Sequence, residues 1–506
     1  MSIYDYLESQ ARKHKSSVAF RYLDQVMTYS DVLKQATQLS LDFLKRGVKK
    51  GYRMLFYCDH PLQTVIGYYA CHRIGAICIP VNLDTDLQET LTMLSDIKAD
   101  GCFVSNGTFN IINPLLKNVS YFSFHPDCNS DTKTIYHKDE AYTLESMKVS
   151  AEDAAFIFMT SGSTGKPKAA ICTHHNVISY ISYKAVPYPI EQTDIFLCHT
   201  PMQSDMSIFA LYLPLTFGAA CVLLPNSMRR NPMYVKHIII QERITVLQLV
   251  PSAIRLLMLQ GLNDTIAPSV KILIFTGEKM PLKELSELRE RFTKARLYNV
   301  FGITETNDVF YYQIPEYPTP IVSLPLGIPL PHVNVVLMND SMVECSEGEI
   351  GELYVSSNTV MKGYDGIDTK DTFISISGYS TYPTKDLLLF QDGMYHFIGR
   401  KDNMIKIDSQ RVFPSLVEEV IMSEPTVVEA AVVALVQFER PYLAAYVYGN
   451  IDKLRLRAYC STLLPAYSIP VFFVLVSVPL PKTSSGKIDY SSIKQILQHQ
   501  FTLNSQ

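Results

Sequence analysis

KILIFTGEKMPLKELSELRERFTKARLYNVFGITETN, residues 271–307, changes its hydrophobic period twice. KILIFT is a short apolar run rich in β-branched residues and suits a buried strand. Pro281 then stands where a helix can begin, and Leu282, Leu285, Leu288 and Phe292 fall on one stripe, the spacing of an amphipathic helix. ARLYNVFG brings back an apolar run. Strand, helix and strand within about 30 residues is the unit from which parallel sheets with crossover helices are built.

Working outward, the same alternation recurs from about residue 60. GAICIPV (75–81), AAFIFM (154–159), DIFLCHT (194–200), AACVLLP (219–225) and TVLQLV (245–250) read as strands between segments of helical spacing, so the fold class is α/β. After about residue 320 the strands shorten and the turns become polar, as in VNVVLMND, GEIGELYVSS and DLLLFQDGMYHFIG. The span 320–398 therefore reads as a β-rich subdomain of a domain covering 1–400. GRKDNMIK marks a boundary at about 400, where an apolar strand gives way to charged and amide residues. The span 401–506 has a helix near 414–423, strands VEAAVVALV and PYLAAYVYG, a helix near 452–463, a strand VFFVLVSV and a closing helix, enough for a small α+β domain.

The bulk numbers agree with a sizeable enzyme. A chain of 506 residues, 47% apolar and 19% charged, is too long for one ordinary core and too rich in apolar residues for a disordered one. Its 45 basic and 49 acidic residues give a formal charge of −4, which supplies no broad footprint for nucleic acid; any polyanion bound is expected to be small. The ten cysteines are scattered without a C-x-x-C pair, the pattern of reduced core thiols. MSIYDYLESQARKHKSS has no apolar core of a leader, and VFFVLVSVPL is too short to span a bilayer. The expectation is a soluble, untargeted, cytoplasmic protein with no membrane partner.

TSGSTGKPK (160–168) follows the strand AAFIFM directly. Thr160, Ser161, Gly162, Ser163, Thr164 and Gly165 can turn backbone N–H groups and hydroxyls toward one anion, with Lys166 and Lys168 supplying charge. The same composition also makes a soft surface turn. It is not a Walker loop, because Pro167 stands where that motif begins its helix.

Four stretches in order, FMTSGSTGKPK, NVFGITET, GRKDNMIKI and LPKTSSGKID, together resemble the acyl-adenylate-forming enzymes over essentially the whole chain. Residues 274–307 give a narrower resemblance to free-standing amino-acid:carrier-protein ligases such as the D-alanine and L-proline ligases. The resemblance implies two layered α/β sheets plus a small β-barrel subdomain, with a mobile C-terminal lid. It also implies ATP and Mg²⁺ as cofactors, and as partners an amino acid and a separate phosphopantetheinylated carrier protein, since no carrier segment follows residue 506.

Carried over residue by residue, the resemblance makes Lys487 the catalytic lysine bridging carboxylate and α-phosphate. Thr304 falls on the α-phosphate, Glu305 on Mg²⁺, Phe301 on the adenine face and Asn299 near the adenine edge. Gly277, Glu278, Val300, Gly302, Ile303 and Ile398 join the ATP site with Thr160, the 161–165 loop and Lys168. Asp386 falls on the ribose hydroxyls beside Arg400, and Asp402 at the hinge of the C-terminal domain. The ordinary alternatives are a solvated lysine at a helix start for Lys487 and a plain strand–turn for NVFGITE. Three positions depart from the family pattern: Ile303 for proline, Lys385 for glycine and Ser409 for glycine. They put loop rigidity, room for the nucleotide and thiol transfer in question, respectively.

PMQSDMSIF (201–209) resembles the segment whose aspartate pairs with an α-amino group, here Asp205; the alternative is an N-cap for the following helix. Met206, Phe209, Gln248, Ile274, Thr276, Val300, Asp308 and Val309 are the implied pocket lining, with Lys487 closing on the carboxylate. Asp308 is the odd member, suited to a substrate side chain bearing a donor or a positive charge, or else to a wet rim. The leading expectation is an amino-acid adenylating ligase. An acyl- or aryl-CoA ligase and a silent nucleotide-binding homologue are the competitors.

Overall fold

The computed structural model describes residues 1–83, 92, 96–112, 120–123, 147–160, 168–321, 323–407, 410–437, 440–482 and 488–503. The unit at 271–307 folds as its period implies. Strand Ile272–Thr276 leads into helix Leu282–Arg291 and returns as strand Arg296–Ile303, parallel to the first with Thr276 opposite Val300. Pro281 is the N-cap. Leu285, Leu288 and Phe292 are buried, but Leu282, in the first turn, lies 39% exposed, so the apolar stripe reaches the core only from Leu285 onward.

This unit belongs to a nine-stranded sheet. Parallel strands Val18–Tyr22, Ala220–Leu223, Ile195–Cys198, Val246–Leu249, Ile272–Thr276 and Arg296–Ile303 run side by side, and antiparallel Asn307–Gln313 and Ile328–Pro329 extend one edge. A second sheet of seven strands contains Ala154–Thr160, Lys168–Thr173, Ile77–Pro80 and Arg53–Tyr57. Between the two, Tyr69, His72, Phe156, His174, Phe196 and Tyr212 pack into one large core with the helices Pro61–Ile74 and Ser207–Phe217. The opposite faces are covered too, with Leu197, Leu247 and Leu273 in one further cluster and Leu55, Ile79 and Ile157 in another, so strands buried on both faces read as continuous apolar runs.

The β-rich span forms an antiparallel sheet of Asn334–Met338, Ile350–Ser356, Tyr379–Gln391, Ile374–Ile376 and Met394–Arg400. One short piece of it, Gly363–Tyr364, pairs instead with Lys168–Thr173 at the edge of the seven-stranded sheet. Beyond the hairpin Ile405–Ile407 and Gln410–Val412, the three strands Val427–Gln437, Arg440–Gly449 and Phe472–Val476 pack against helices Pro414–Met422, Lys453–Leu463 and Tyr490–Leu503. The architecture is a large α/β N-terminal domain with a half-barrel subdomain and a small α+β C-terminal domain. The nine described cysteines are all free, and all but Cys345 are buried. Among the described residues no helix is long and apolar enough to cross a membrane.

Candidate active site

A cavity of about 1610 Å³ opens where the C-terminal ends of Val246–Leu249, Ile272–Thr276 and Arg296–Ile303 meet the C-terminal domain. Ligands collect at that edge of open parallel sheets, where strand ends and loops leave a crevice. Thr160, Asp205, Met206, Gln248, Thr276, Gly277, Gly302, Ile303, Thr304, Glu305, Asp308, Arg400 and Asp402 all line it. Segments more than 200 residues apart in sequence are thereby brought to one space.

The centre of the wall is the hairpin Arg296–Ile303/Asn307–Gln313. Its strands cross so closely that any side chain at Gly302 would run into the carbonyl of Asn307, and Asn307 turns the chain with φ +56°. Ile303 does not leave the turn loose. Thr306 N donates to the Ile303 carbonyl, Met361 N to the Glu305 carbonyl (2.8 Å) and Thr359 Oγ1 to the Thr306 carbonyl (2.9 Å). The turn is therefore stitched to a neighbouring segment, which fixes Thr304 and Glu305 against the cavity.

Glu305 is held from outside its own sheet. The Tyr364 hydroxyl donates to Glu305 Oε1 at 2.6 Å and lies 2.8 Å from the Tyr382 hydroxyl, while the Lys168 ammonium sits 4.8 Å from the centre of the Tyr364 ring. Burial first, and then the charge of Glu305, push both tyrosine hydroxyls well above the usual phenol range, so they remain donors. Lys168 thus reaches the site through an aromatic face and does not line the cavity.

Asp386 lies beside this cluster, 2% exposed, with Arg400 Nη1 donating to its Oδ1 at 3.1 Å and its Oδ2 unpartnered among the described residues. Burial pushes its carboxyl up to about 6, and Arg400 pulls it back only in part. Arg400 is shared, because its Nε and Nη2 also donate to Asp402 at 3.1 and 3.3 Å. Lys385, just before Asp386, takes the left-handed conformation (φ +64°) and its side chain is exposed, away from the cavity lining. Glycine adopts that conformation without strain, and here lysine does so while facing solvent.

Opposite, Asp205 lines the cavity ahead of helix Ser207–Phe217. Met206, not Asp205, is the N-cap residue, and the Ser204 hydroxyl donates to Asp205 Oδ1 at 3.3 Å. Asp308 has a counter-ion that no local pattern shows. Lys184 Nζ lies 2.8 Å from Asp308 Oδ2, and the Tyr180 hydroxyl donates to the same oxygen at 2.8 Å. Lys184 is fully buried, with its ammonium 5.2 Å from the Tyr188 ring centre and 5.7 Å from that of Phe209. Burial pushes the ammonium below the usual lysine range, against the pull of Asp308. Removing one member of such a pair costs about 3–5 kcal/mol, because the other is left charged and dry.

Several expected positions sit elsewhere. Phe209, Ile274, Val300 and Val309 are at most 2% exposed and pack in the core behind the wall; Phe209 is occupied with Lys184 and Phe196. The Asn299 amide donates to the Pro325 carbonyl at 2.8 Å and is spent on holding that loop. Phe301 packs between Phe310 and Phe397, with centroids 6.1 and 6.0 Å away, and leaves the wall to Gly302 and Ile303. Glu278 accepts from Ser252 N at 3.1 Å, and the Ile398 carbonyl accepts from Ser415 Oγ at 2.9 Å; neither residue lines the cavity. Residues 161–165, Ser409 and Lys487 lie outside the described residues.

The C-terminal domain closes the cavity with Met422, Val427, Glu429, Tyr448, Lys482 and Ile488, among others. Glu429 is its anchor. It forms an ion pair with Arg255 of helix Pro251–Leu259, accepts from Lys482 Nζ (3.1 Å) and from Leu480 N (2.9 Å), and so ties the segment entering 483–487 to the large domain. Burial opposes ionised Glu429, but Arg255, the Leu480 amide and Lys482 outweigh it and hold the carboxyl below its usual range. Lys279–Glu419 and Lys283 to the Pro425 carbonyl add to the same seam.

A crevice between a two-sheet α/β domain and a small C-terminal domain, floored by a Gly-Ile-Thr-Glu turn and flanked by a buried aspartate–arginine pair, is the arrangement expected of an adenylate-forming enzyme. The family comparison agrees: residues 7–365 match the AMP-binding enzyme model and 416–487 its C-terminal domain model, so the chain belongs to the AMP-binding enzyme family of AMP-forming ligases. Among similar proteins are the L-proline--[L-prolyl-carrier protein] ligase of Pseudomonas fluorescens, 26% identical over 88% of this chain and 89% of that one, and the D-alanine--D-alanyl carrier protein ligase of Bacillus licheniformis, 26% identical over 98% and 99%. The dimodular nonribosomal peptide synthase of Bacillus subtilis is 27% identical over 96% of this chain, which spans only 21% of that protein. ATP-bound MatB from Rhodopseudomonas palustris superposes with a TM-score of 0.84 at 21% identity, covering 98% of this chain and 99% of that one. The o-succinylbenzoate coenzyme A synthetase of Bacillus subtilis with ATP and magnesium superposes at 0.82 and 23%, covering 96% and 98%. These two likenesses establish the fold.

Proposed function

We propose that this enzyme adenylates an α-amino acid with ATP and then passes the aminoacyl group to the phosphopantetheine thiol of a separate carrier protein. In the first step a carboxylate oxygen of the acid attacks the α-phosphorus, the bond to the bridging oxygen breaks, and pyrophosphate leaves. In the second a thiolate sulfur attacks the acyl carbon and AMP leaves.

The observation that carries the amino-acid reading is Asp205, a carboxylate on the cavity wall that is not a helix cap. A buried ammonium needs such a partner. With Lys487 on the substrate carboxylate, the two would clamp both ends of an amino acid. The similar proline and D-alanine ligases support this reading, and so does the match over nearly their full length.

The nucleotide fits the residues present. Arg400 lines the cavity and holds the buried Asp386 carboxylate behind it, whose Oδ2, unpartnered among the described residues, would accept from a ribose hydroxyl. Thr160, the 161–165 loop and Thr304 would face the phosphates. For magnesium, no group of three or more His, Cys, Asp or Glu converges among the described residues. One fixed carboxylate, Glu305, is what a magnesium ion arriving on a triphosphate needs. When bound, the ion would neutralise charge on the phosphates. Tyr364 keeps Glu305 oriented, and Asp402 would act as the hinge when the smaller domain turns.

The test is ATP–pyrophosphate exchange over a panel of amino acids and their des-amino analogues, with Asp205→Ala and Lys487→Ala. Exchange that requires the α-amino group and falls at least about 100-fold in both variants is expected. Exchange with des-amino acids, or free coenzyme A replacing the carrier at equal rate, would show an acyl- or aryl-CoA ligase instead.

A further inference from the structure

Two buried polar side chains are not used by catalysis: Gln248, which lines the cavity, and Lys184, which lies behind the wall on Asp308. Gln248 is 3% exposed at the end of strand Val246–Leu249, lines the cavity, and has neither Nε2 nor Oε1 hydrogen-bonded among the described residues. An amide buried without partners costs free energy unless a ligand supplies them, and this one offers both a donor and an acceptor. Thr276, on the neighbouring strand, lines the same wall, and Asp308 lies two strands further on.

Asp308 would invite a cationic side chain if it stood alone. It does not, because Lys184 and Tyr180 both take its Oδ2. A second ammonium brought to Asp308 would lie close to that of Lys184, and an added carboxylate would meet Asp308 itself; like charges at such range in a dry site are repelled strongly. An apolar side chain avoids both conflicts but leaves the Gln248 amide unpaired. We infer that the side-chain end of the cavity takes an uncharged, hydrogen-bonding group, a carboxamide or a hydroxyl, and that Lys184 is a specificity-determining residue because it neutralises Asp308.

This inference rests on the amino-acid reading of the same site, and one assay separates them. Exchange is measured on the full chain with near-isosteric amino acids, asparagine against leucine and threonine against valine, together with aspartate and 2,4-diaminobutyrate. At least one hydrogen-bonding member should exceed its apolar partner in kcat/KM by roughly 10- to 100-fold, the discrimination expected when a mismatch strands a buried polar group. In Gln248→Leu that ratio should fall toward one. In Lys184→Met, 2,4-diaminobutyrate should gain roughly tenfold or more relative to asparagine, because the Asp308 charge is unmasked. Each readout is a ratio within one preparation, so partial unfolding of a variant does not change it. Apolar or charged side chains preferred by the wild type, or ratios unmoved in both variants, would overturn the inference while leaving amino-acid activation intact. Exchange that needs no α-amino group would overturn the reading beneath it.

Discussion

Asp386→Asn should make the empty enzyme more stable and the nucleotide complex weaker, a reversal of the usual effect of disturbing a buried ion pair. Burial raises the Asp386 carboxyl from 3.8 to about 6 despite Arg400. That gap corresponds to roughly 3 kcal/mol of native-state stability forgone when the group is ionised. The sign follows from linkage. With the folded pKa above the unfolded one, the native state binds the extra proton, so this group's contribution is full below pH 3.8 and lost as pH rises through about 6. Removing the charge should therefore stabilise the ATP-free protein by up to about 3 kcal/mol at pH 7.5, and by about half as much at pH 5, where folded wild type is already mostly protonated at this position. ATP should lose about 1.5–3 kcal/mol of binding, the value of a hydrogen bond to a charged acceptor, and so bind at least tenfold more weakly. Urea unfolding of both proteins at the two pH values, with and without ATP and magnesium, reads all three quantities. A variant less stable than wild type at pH 7.5 without nucleotide would refute the reasoning. So would equal stabilisation of both proteins by ATP.

Glu305→Gln should lower exchange at least about 100-fold and raise the magnesium concentration needed for half-maximal rate, whereas Tyr364→Phe should give a smaller loss, about 1 kcal/mol in kcat/KM; magnesium titrations distinguish the two. Arg255→Ala and Glu429→Ala should not add. A double-mutant cycle on exchange rates should show coupling of about 0.5–3 kcal/mol, and additivity would mean that the seam between the domains is idle. His174 is buried and its pKa is lowered to about 4 by burial, so the unfolded chain binds the extra proton and stability falls as pH drops from 6.5 through about 4. His174→Gln should flatten that acid limb by about 3 kcal/mol in pH-dependent unfolding, and an unchanged limb would count against it.

Strands, helices and the ordered motifs are legible in the residues because each depends on local period or short spacing. Residues 271–307 show this, with one exception: Leu282 matches the stripe yet faces solvent, since a stripe fixes a face and not the depth of its first turn. Of the eight residues that the resemblance implies for the pocket lining, Met206, Gln248, Thr276 and Asp308 line the cavity, and Phe209, Ile274, Val300 and Val309 do not. What no pattern carries is pairing across the chain. Tyr180 meets Asp308 over 128 residues and Tyr364 meets Glu305 over 59. The one available hint for Lys184 was a lysine following the apolar helical run NVISYIS, one turn after Tyr180. The cores behind Phe209, Ile274, Val300 and Val309 were equally hidden, because an apolar residue next to a site and one beneath it look the same in sequence.

The Glu305 cluster has a wider consequence. Glu305 rides on the nine-stranded sheet, Tyr364 on the seven-stranded sheet, and Tyr382 on the antiparallel sheet, so one short chain of hydroxyls is a tripod with a foot on each. A slight tilt of any one sheet tips the carboxylate at the apex. Substitutions deep in distant cores should therefore register as a shifted magnesium requirement well before they register as a lower melting point.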